Sequence, residues 1–306
     1  MNISALNQQM VILFVLIFVG YLAAKIKLFQ PNANKYLADL VINVSCPATT
    51  IYAVDTSSRS LSNGSVLMIL GVSTLLYGAL ILFAMVVSRL LGLKKGNSGI
   101  FRFMLIFSNV GFLGYPVLQA LSGADAVFIA AMYNLIFQLL VYTYGVALVS
   151  GGRSGNTVSW KTFLSPMMIA SVLALILYLC NVPFHPTVTK VLGILDQITA
   201  PASMLAIGCT LAAFPLKRVF GNWRVYVVSL IKLILVPVLV WLVLRLFITD
   251  QLILMVMTVL SALPVATNAT LLCAKYDGDQ ETAASGVFLS TLMSVFILPG
   301  LLQLLF

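Results

Sequence analysis

The chain has 306 residues, of which 61% are hydrophobic and 8% charged, and its 17 Lys and Arg against 8 Asp and Glu give a net charge of +9. With a mean hydropathy of +1.09, this composition excludes an ordinary soluble domain, in which about 25% of residues are charged. One His without metal-ligand spacing and no glycine-rich phosphate loop ending in Gly-Lys-Ser/Thr leave metal catalysis and ATP hydrolysis without support.

A helix that crosses a bilayer needs about 20 mostly apolar residues. Ten stretches qualify, at roughly 8 to 25, 33 to 53, 65 to 91, 98 to 122, 125 to 150, 162 to 181, 188 to 214, 220 to 248, 251 to 275 and 281 to 305. The first lacks the basic start and small-residue cleavage site of a secretory leader and reads as a span of the mature protein. The odd loops carry Lys25, Lys27 and Lys35, then Arg89, Lys94, Lys95 and Arg102, then Arg153 and Lys161, then Lys217, Arg218 and Arg224, then Lys275. The even loops carry only Arg59, Lys190 and Arg245. By the positive-inside rule the odd loops are cytoplasmic and both termini are extracytoplasmic. The charge is thus topological, and nucleic acid is not an expected partner. Cys46, Cys180, Cys209 and Cys273 are scattered through apolar stretches, with the spacing of neither a disulfide framework nor a metal site.

A polar linker at 151–161 divides the chain into halves at 1–150 and 162–306, each with five spans. An odd number of spans per half puts the halves in opposite orientations. The sequence therefore predicts an all-α polytopic membrane protein, ten helices in two inverted five-helix repeats. Ser45-Cys46-Pro47-Ala48-Thr49 in the second span echoes Thr199-Ala200-Pro201-Ala202-Ser203 in the seventh.

Two spans are interrupted at corresponding places. Span 4 contains Ser108-Asn109-Val110-Gly111-Phe112-Leu113-Gly114-Tyr115-Pro116, and span 9 contains Leu263-Pro264-Val265-Ala266-Thr267-Asn268-Ala269-Thr270. Helix breakers at membrane depth persist where they face protein or water, and paired breaks in related halves mark a transporter's binding site. Gly111 and Gly114 permit strained backbone, and Pro116 and Pro264 are suited to begin half-helices, predicting a stop near Asn109 and a restart near Pro116. Two half-helix N-termini with unpaired N–H groups would favour a small organic anion. Ser108, Asn109, Thr267, Asn268 and Thr270, with Ser45, Pro47, Pro201 and Ser203 of the echoed segments, complete the candidate substrate site.

Lys232 is the one basic residue deep in a span; it either acts as a charge partner, to the substrate or to the ends of the broken helices, or snorkels to the cytoplasmic surface. All eight acidic residues fall in loops or near span ends. Asp39 and Asp196 precede the echoed prolines and are the candidates for coupling to a proton or sodium ion, with helix capping as the alternative role. No other cofactor is indicated. His185, between Pro183 and Pro186, reads as a solvated loop residue.

The stretches 108–117 and 262–275, Lys232-Leu233-Ile234-Leu235-Val236-Pro237 and Asn43-Val44-Ser45-Cys46-Pro47-Ala48 resemble the bacterial branch of the auxin efflux carrier family, in order along the whole chain. The resemblance implies a fold similar to plant PIN carriers and bile-acid/sodium symporters, in which helices 4 and 9 cross as broken helices. It implies a scaffold of helices 1, 2, 6 and 7 and a transport domain of helices 3–5 and 8–10. Elevator-type displacement of carboxylates such as malate, malonate or auxin across the plasma membrane follows from it, as does a homodimer. A passive channel or a sensor is the alternative function, and an enzyme is not expected.

Overall fold

Backbone polar groups in lipid must bond within their own segment, so long apolar stretches are helical. The computed structural model describes residues 3–29, 33–58, 61–93, 98–151, 164–213 and 221–306. Among them the helices are α1 (Ile3–Lys25), α2 (Ala33–Thr56), α3 (Asn63–Leu90), α4 (Ser98–Ile106) and α5 (Val110–Val149), followed by α6 (Pro166–Leu179), α7 (Pro186–Ala213), α8 (Trp223–Leu244), α9 (Gln251–Ala262), α10 (Asn268–Lys275) and α11 (Gln280–Leu305). No strand occurs among the described residues. Most of the 151–161 linker lies outside them.

Six of these helices, α2, α3, α5, α7, α8 and α11, are long and apolar enough to cross a membrane. The remaining apolar stretches lie in α1 and in the shorter helices α4, α6, α9 and α10. Spans 4 and 9 of the sequence reading are each cut by a break, and the boundary expected between spans 4 and 5 falls inside α5. There Ser122 (φ −149°) and Gly123 (φ 67°) leave helical geometry. The positive φ is a conformation that glycine adopts without strain.

Widened turns recur before prolines. The π-turns Val41–Ser45, Val110–Gly114 and Ile231–Leu235 each end two residues before a proline, at Pro47, Pro116 and Pro237. A proline offers no N–H to the carbonyl four residues back and its ring collides with that group. Widening the turn relieves the collision while the helix continues.

The chain forms two compact units, one of Met1–Ile69, Val110–Leu135 and Phe163–Phe214, the other of Leu70–Asn109, Ile136–Thr162 and Pro215–Phe306. In the first unit α1 and α7 approach closely through glycines. A Cβ on Gly208 would lie 2.1 Å from the Ile17 carbonyl oxygen, and one on Gly20 would lie 2.5 Å from that of Leu205. Small residues at such contacts let membrane helices pack backbone to backbone. In the second unit Phe107 is held among Tyr77, Phe103 and Phe137, with ring centroids 6.1, 4.7 and 5.8 Å away. Large apolar side chains are exposed along the helices, Leu75 and Leu82 on α3 among them. A soluble protein would not leave such surface to water, and a bilayer covers it.

Candidate functional site

Both interruptions are present, and they meet. Helix α4 stops at Ile106, and α9 stops at Ala262 before Leu263 in extended conformation. Ser108 and Val265 then form an antiparallel bridge, in which Asn109 N–H donates to Pro264 O at 2.9 Å and Ala266 N–H donates to Phe107 O at 3.0 Å. The Val265 amide, pointing away from this pair, donates to Ser290 Oγ of α11 at 3.0 Å. Each break thus satisfies backbone groups that the other exposes.

The helices restart elsewhere than the sequence suggests. After the first break helical structure resumes at Val110, not near Pro116, because the π-turn accommodates the proline within a continuing helix. After the second it resumes at Asn268, so Pro264 belongs to the extended pair rather than beginning a half-helix. Gly111 and Gly114 have no positive φ, and a Cβ on Gly111 would meet nothing within 4 Å; neither glycine relieves strain. In the first turn of α10 the Ala269 and Thr270 amides are taken by the Ala266 and Thr267 carbonyls, at 3.0 and 3.2 Å. These two amides are not the open anion donors expected there.

The side chains at the pair are the less satisfied part. Ser108 and Asn109 are buried, and Ser108 Oγ, Asn109 Nδ2 and Thr267 Oγ1 are inaccessible atoms without a hydrogen-bond partner. Leaving a buried polar group unpaired costs about 1–3 kcal/mol. Asn268 is partly exposed at the start of α10, while the Thr270 hydroxyl is occupied in donating to the Thr267 carbonyl at 2.8 Å. Two hydroxyls and an amide NH2 are donors that acceptor oxygens would satisfy.

Lys232 is fully buried in the π-turn of α8, so it does not snorkel. Its Nζ donates to the Leu105 carbonyl at 3.1 Å, at the end of α4, where the helix runs out of amides to bond its last carbonyls and a cation is favoured. Ser290 is the residue that sequence reasoning missed. The signal available was the polar series Ser285, Ser290, Thr291 and Ser294 inside an apolar helix, all buried.

The remaining candidates lie in the first unit. Thr49 Oγ1 and Thr199 Oγ1, from the two echoed segments, are hydrogen-bonded at 2.8 Å. Ser45 is buried with its hydroxyl unpartnered, whereas Ser203 Oγ donates to the Ala200 carbonyl at 3.0 Å. Cys46 Sγ donates to the Gly111 carbonyl at 3.5 Å. Pro47 is half-buried and Pro201 exposed. Thr49, Tyr115, Pro116, Asp196, Gln197 and Pro201, with three apolar residues of α1 among others, line a cavity of about 440 Å³. Asp39 is exposed on α2. Asp196 is half-buried within α7, not near a span end, because α7 begins at Pro186 and continues through Pro201.

A helical chain with several membrane-length helices and a polar break buried inside it is a multi-pass membrane protein, and the paired breaks are those of a transporter. Comparison with known proteins agrees. The family described as "Membrane transport protein" matches residues 5–159 and 153–302, so the chain belongs to that family, the auxin efflux carriers, whose members are transporters rather than enzymes. Its relatives include an uncharacterized transporter of Methanocaldococcus jannaschii, 25% identical over 94% of each chain. A Rhizobium meliloti protein described as "Putative malonate transporter" is 25% identical over 95% of this chain and 93% of its own. The uncharacterized transporter YfdV of Escherichia coli is 22% identical over 94% and 93%.

Proposed function

We propose that this chain is a secondary transporter of a small organic anion, of the malonate, malate or auxin type, which binds where α4 and α9 are interrupted. The observation that carries the reading is the set of three buried, unpartnered polar atoms on the paired breaks: Ser108 Oγ, Asn109 Nδ2 and Thr267 Oγ1. A carboxylate supplies the acceptors that this set lacks, and the hydrogen bonds it receives offset the cost of burying the donors. Lys232 Nζ, donating to the Leu105 carbonyl, holds the end of α4 in the same unit. Malonate is the first substrate to try, on the strength of the Rhizobium relative's description.

In this reading the interrupted helices cross at the pair, and ten spans in two inverted halves carry an elevator-type movement with both termini extracytoplasmic in the plasma membrane. The division of the chain into two compact units supports it. The test is uptake of radiolabelled malonate, malate, lactate and indole acetate into proteoliposomes. Saturable uptake of one of them is expected, with Asn109→Ala weakening its apparent affinity at least tenfold, about 1.4 kcal/mol, as loss of one hydrogen bond to a charged group predicts. Non-saturating conductance would indicate a channel, and unchanged affinity in Asn109→Ala would remove the site assignment.

A further inference from the structure

The described acidic residues differ in what holds them. Asp250 and Asp279 cap helices, accepting from the amides of Leu252 and Ile253 and of Thr282. Asp125 accepts two hydrogen bonds from Ser58, and Asp55 accepts one from the Thr189 hydroxyl. Asp196 caps nothing. It lies ten residues beyond Pro186, the start of α7, about 15 Å along the helix, on the wall of the 440 Å³ cavity. Thr49 lines the same cavity. A carboxylate inside a spanning helix is costly and marks an ion or proton path by default.

We propose that this cavity is a proton site at which Asp196 takes up one proton and releases it with each anion carried. The inference rests on the carrier reading above. The step is the conversion of the Asp196 carboxylate to the carboxylic acid and back, and no other bond changes. A bare metal cation fits less well, because it needs several oxygens converging on one point. Here the Thr49 and Thr199 hydroxyls are turned to each other, and the Thr50 hydroxyl donates to the Tyr115 hydroxyl at 3.3 Å. Pro201 has no N–H, so the Gln197 carbonyl, on the cavity wall, receives no helix bond from that position.

The other titratable group lining the cavity is Tyr115, and Cys46 of α2 lies within electrostatic reach of Asp196. The helices packed on α7 bring Tyr21 and Lys25 on α1, Lys35, Tyr36, Asp39, Tyr52 and Asp55 on α2, and Asp125 and Tyr133 on α5, and α7 itself carries Lys190. None of these lines the cavity. Among the described residues Asp196 is therefore the one carboxylate there.

The test uses the full chain in proteoliposomes with the membrane voltage clamped, at about pH 7 outside and about pH 8 inside, where malonate stays ionised. One proton per anion gives about tenfold malonate accumulation per pH unit. Asp196→Asn is expected to keep malonate counterflow at equal pH but to accumulate no malonate, while Asp196→Glu restores accumulation. Independently, dicyclohexylcarbodiimide is expected to modify the wild type and spare Asp196→Asn at that peptide, with modification fading as pH rises. Accumulation by Asp196→Asn equal to the wild type overturns the proposal, as does wild-type accumulation driven by sodium but not by pH. Absence of counterflow in the wild type overturns the carrier reading and this inference together. Counterflow without any pH response overturns this inference alone.

Discussion

Replacing Ser290 by Ala tests whether the paired breaks depend on a side chain 25 residues away. Its hydroxyl accepts the Val265 amide at 3.0 Å, and both residues are fully buried. Alanine leaves that amide without a partner in a place water does not reach, at a cost of about 1–3 kcal/mol. If the break must hold its paired geometry to bind, the same energy appears as a roughly 5- to 150-fold loss of malonate affinity. Ser294→Ala is the matched control. It removes a hydroxyl equally buried on the same helix, but one that only donates to the Thr291 carbonyl at 2.7 Å, and it is expected to change stability by less than about 0.5 kcal/mol. The assay is a thermal melt followed by a thiol-reactive dye, since Cys46, Cys209 and Cys273 are buried and react on unfolding, together with malonate binding by isothermal titration. Equal melts and equal affinities for the two variants would refute the reasoning.

Gly208→Ala is expected to destabilise the protein by about 1–3 kcal/mol, because its Cβ would overlap the Ile17 carbonyl oxygen at 2.1 Å, while Gly111→Ala, with nothing within 4 Å, leaves the same melt unchanged. Lys232→Met is expected to lower the melt by leaving the Leu105 carbonyl unpaired, at about 1–3 kcal/mol. Lys232→Gln, which can still donate to that carbonyl, is expected to melt close to the wild type and bind malonate within about twofold. A large loss of binding in Lys232→Gln at an unchanged melt would instead put the lysine's charge on the anion.

The breaks are legible in the sequence because proline and glycine interrupt otherwise apolar runs, and their approximate positions follow from the residues alone. Where each helix resumes is not legible. Pro116 looks like a helix start, but a turn widened by one residue carries the helix through it, and that depends on packing around Val110–Gly114. Pro264 reads the same way and instead spends its carbonyl on Asn109, a partner 155 positions earlier in the chain. Ser290 escapes notice for the same reason: nothing near it in sequence names its partner. Asp196 is visible as an acid near an echoed proline, but its depth is set by where α7 begins, and its cavity is assembled from α1, α2, α5 and α7 together. Lys232 is recognisable as a buried charge, yet only the fold shows that it binds the end of a helix.

The π-turn before Pro47 also fixes an angular phase. Successive residues of a helix are rotated by about 100°, so the extra residue of the widened turn re-aims every side chain that follows, including Thr49 toward Thr199 and Thr50 toward Tyr115. Deleting one residue from Val41–Ser45 would bring the proline ring back against the carbonyl behind it and swing both threonines off their partners at once. An alignment gap of a single residue in this segment would therefore mark a change of cavity wall, not a trivial shortening of a helix.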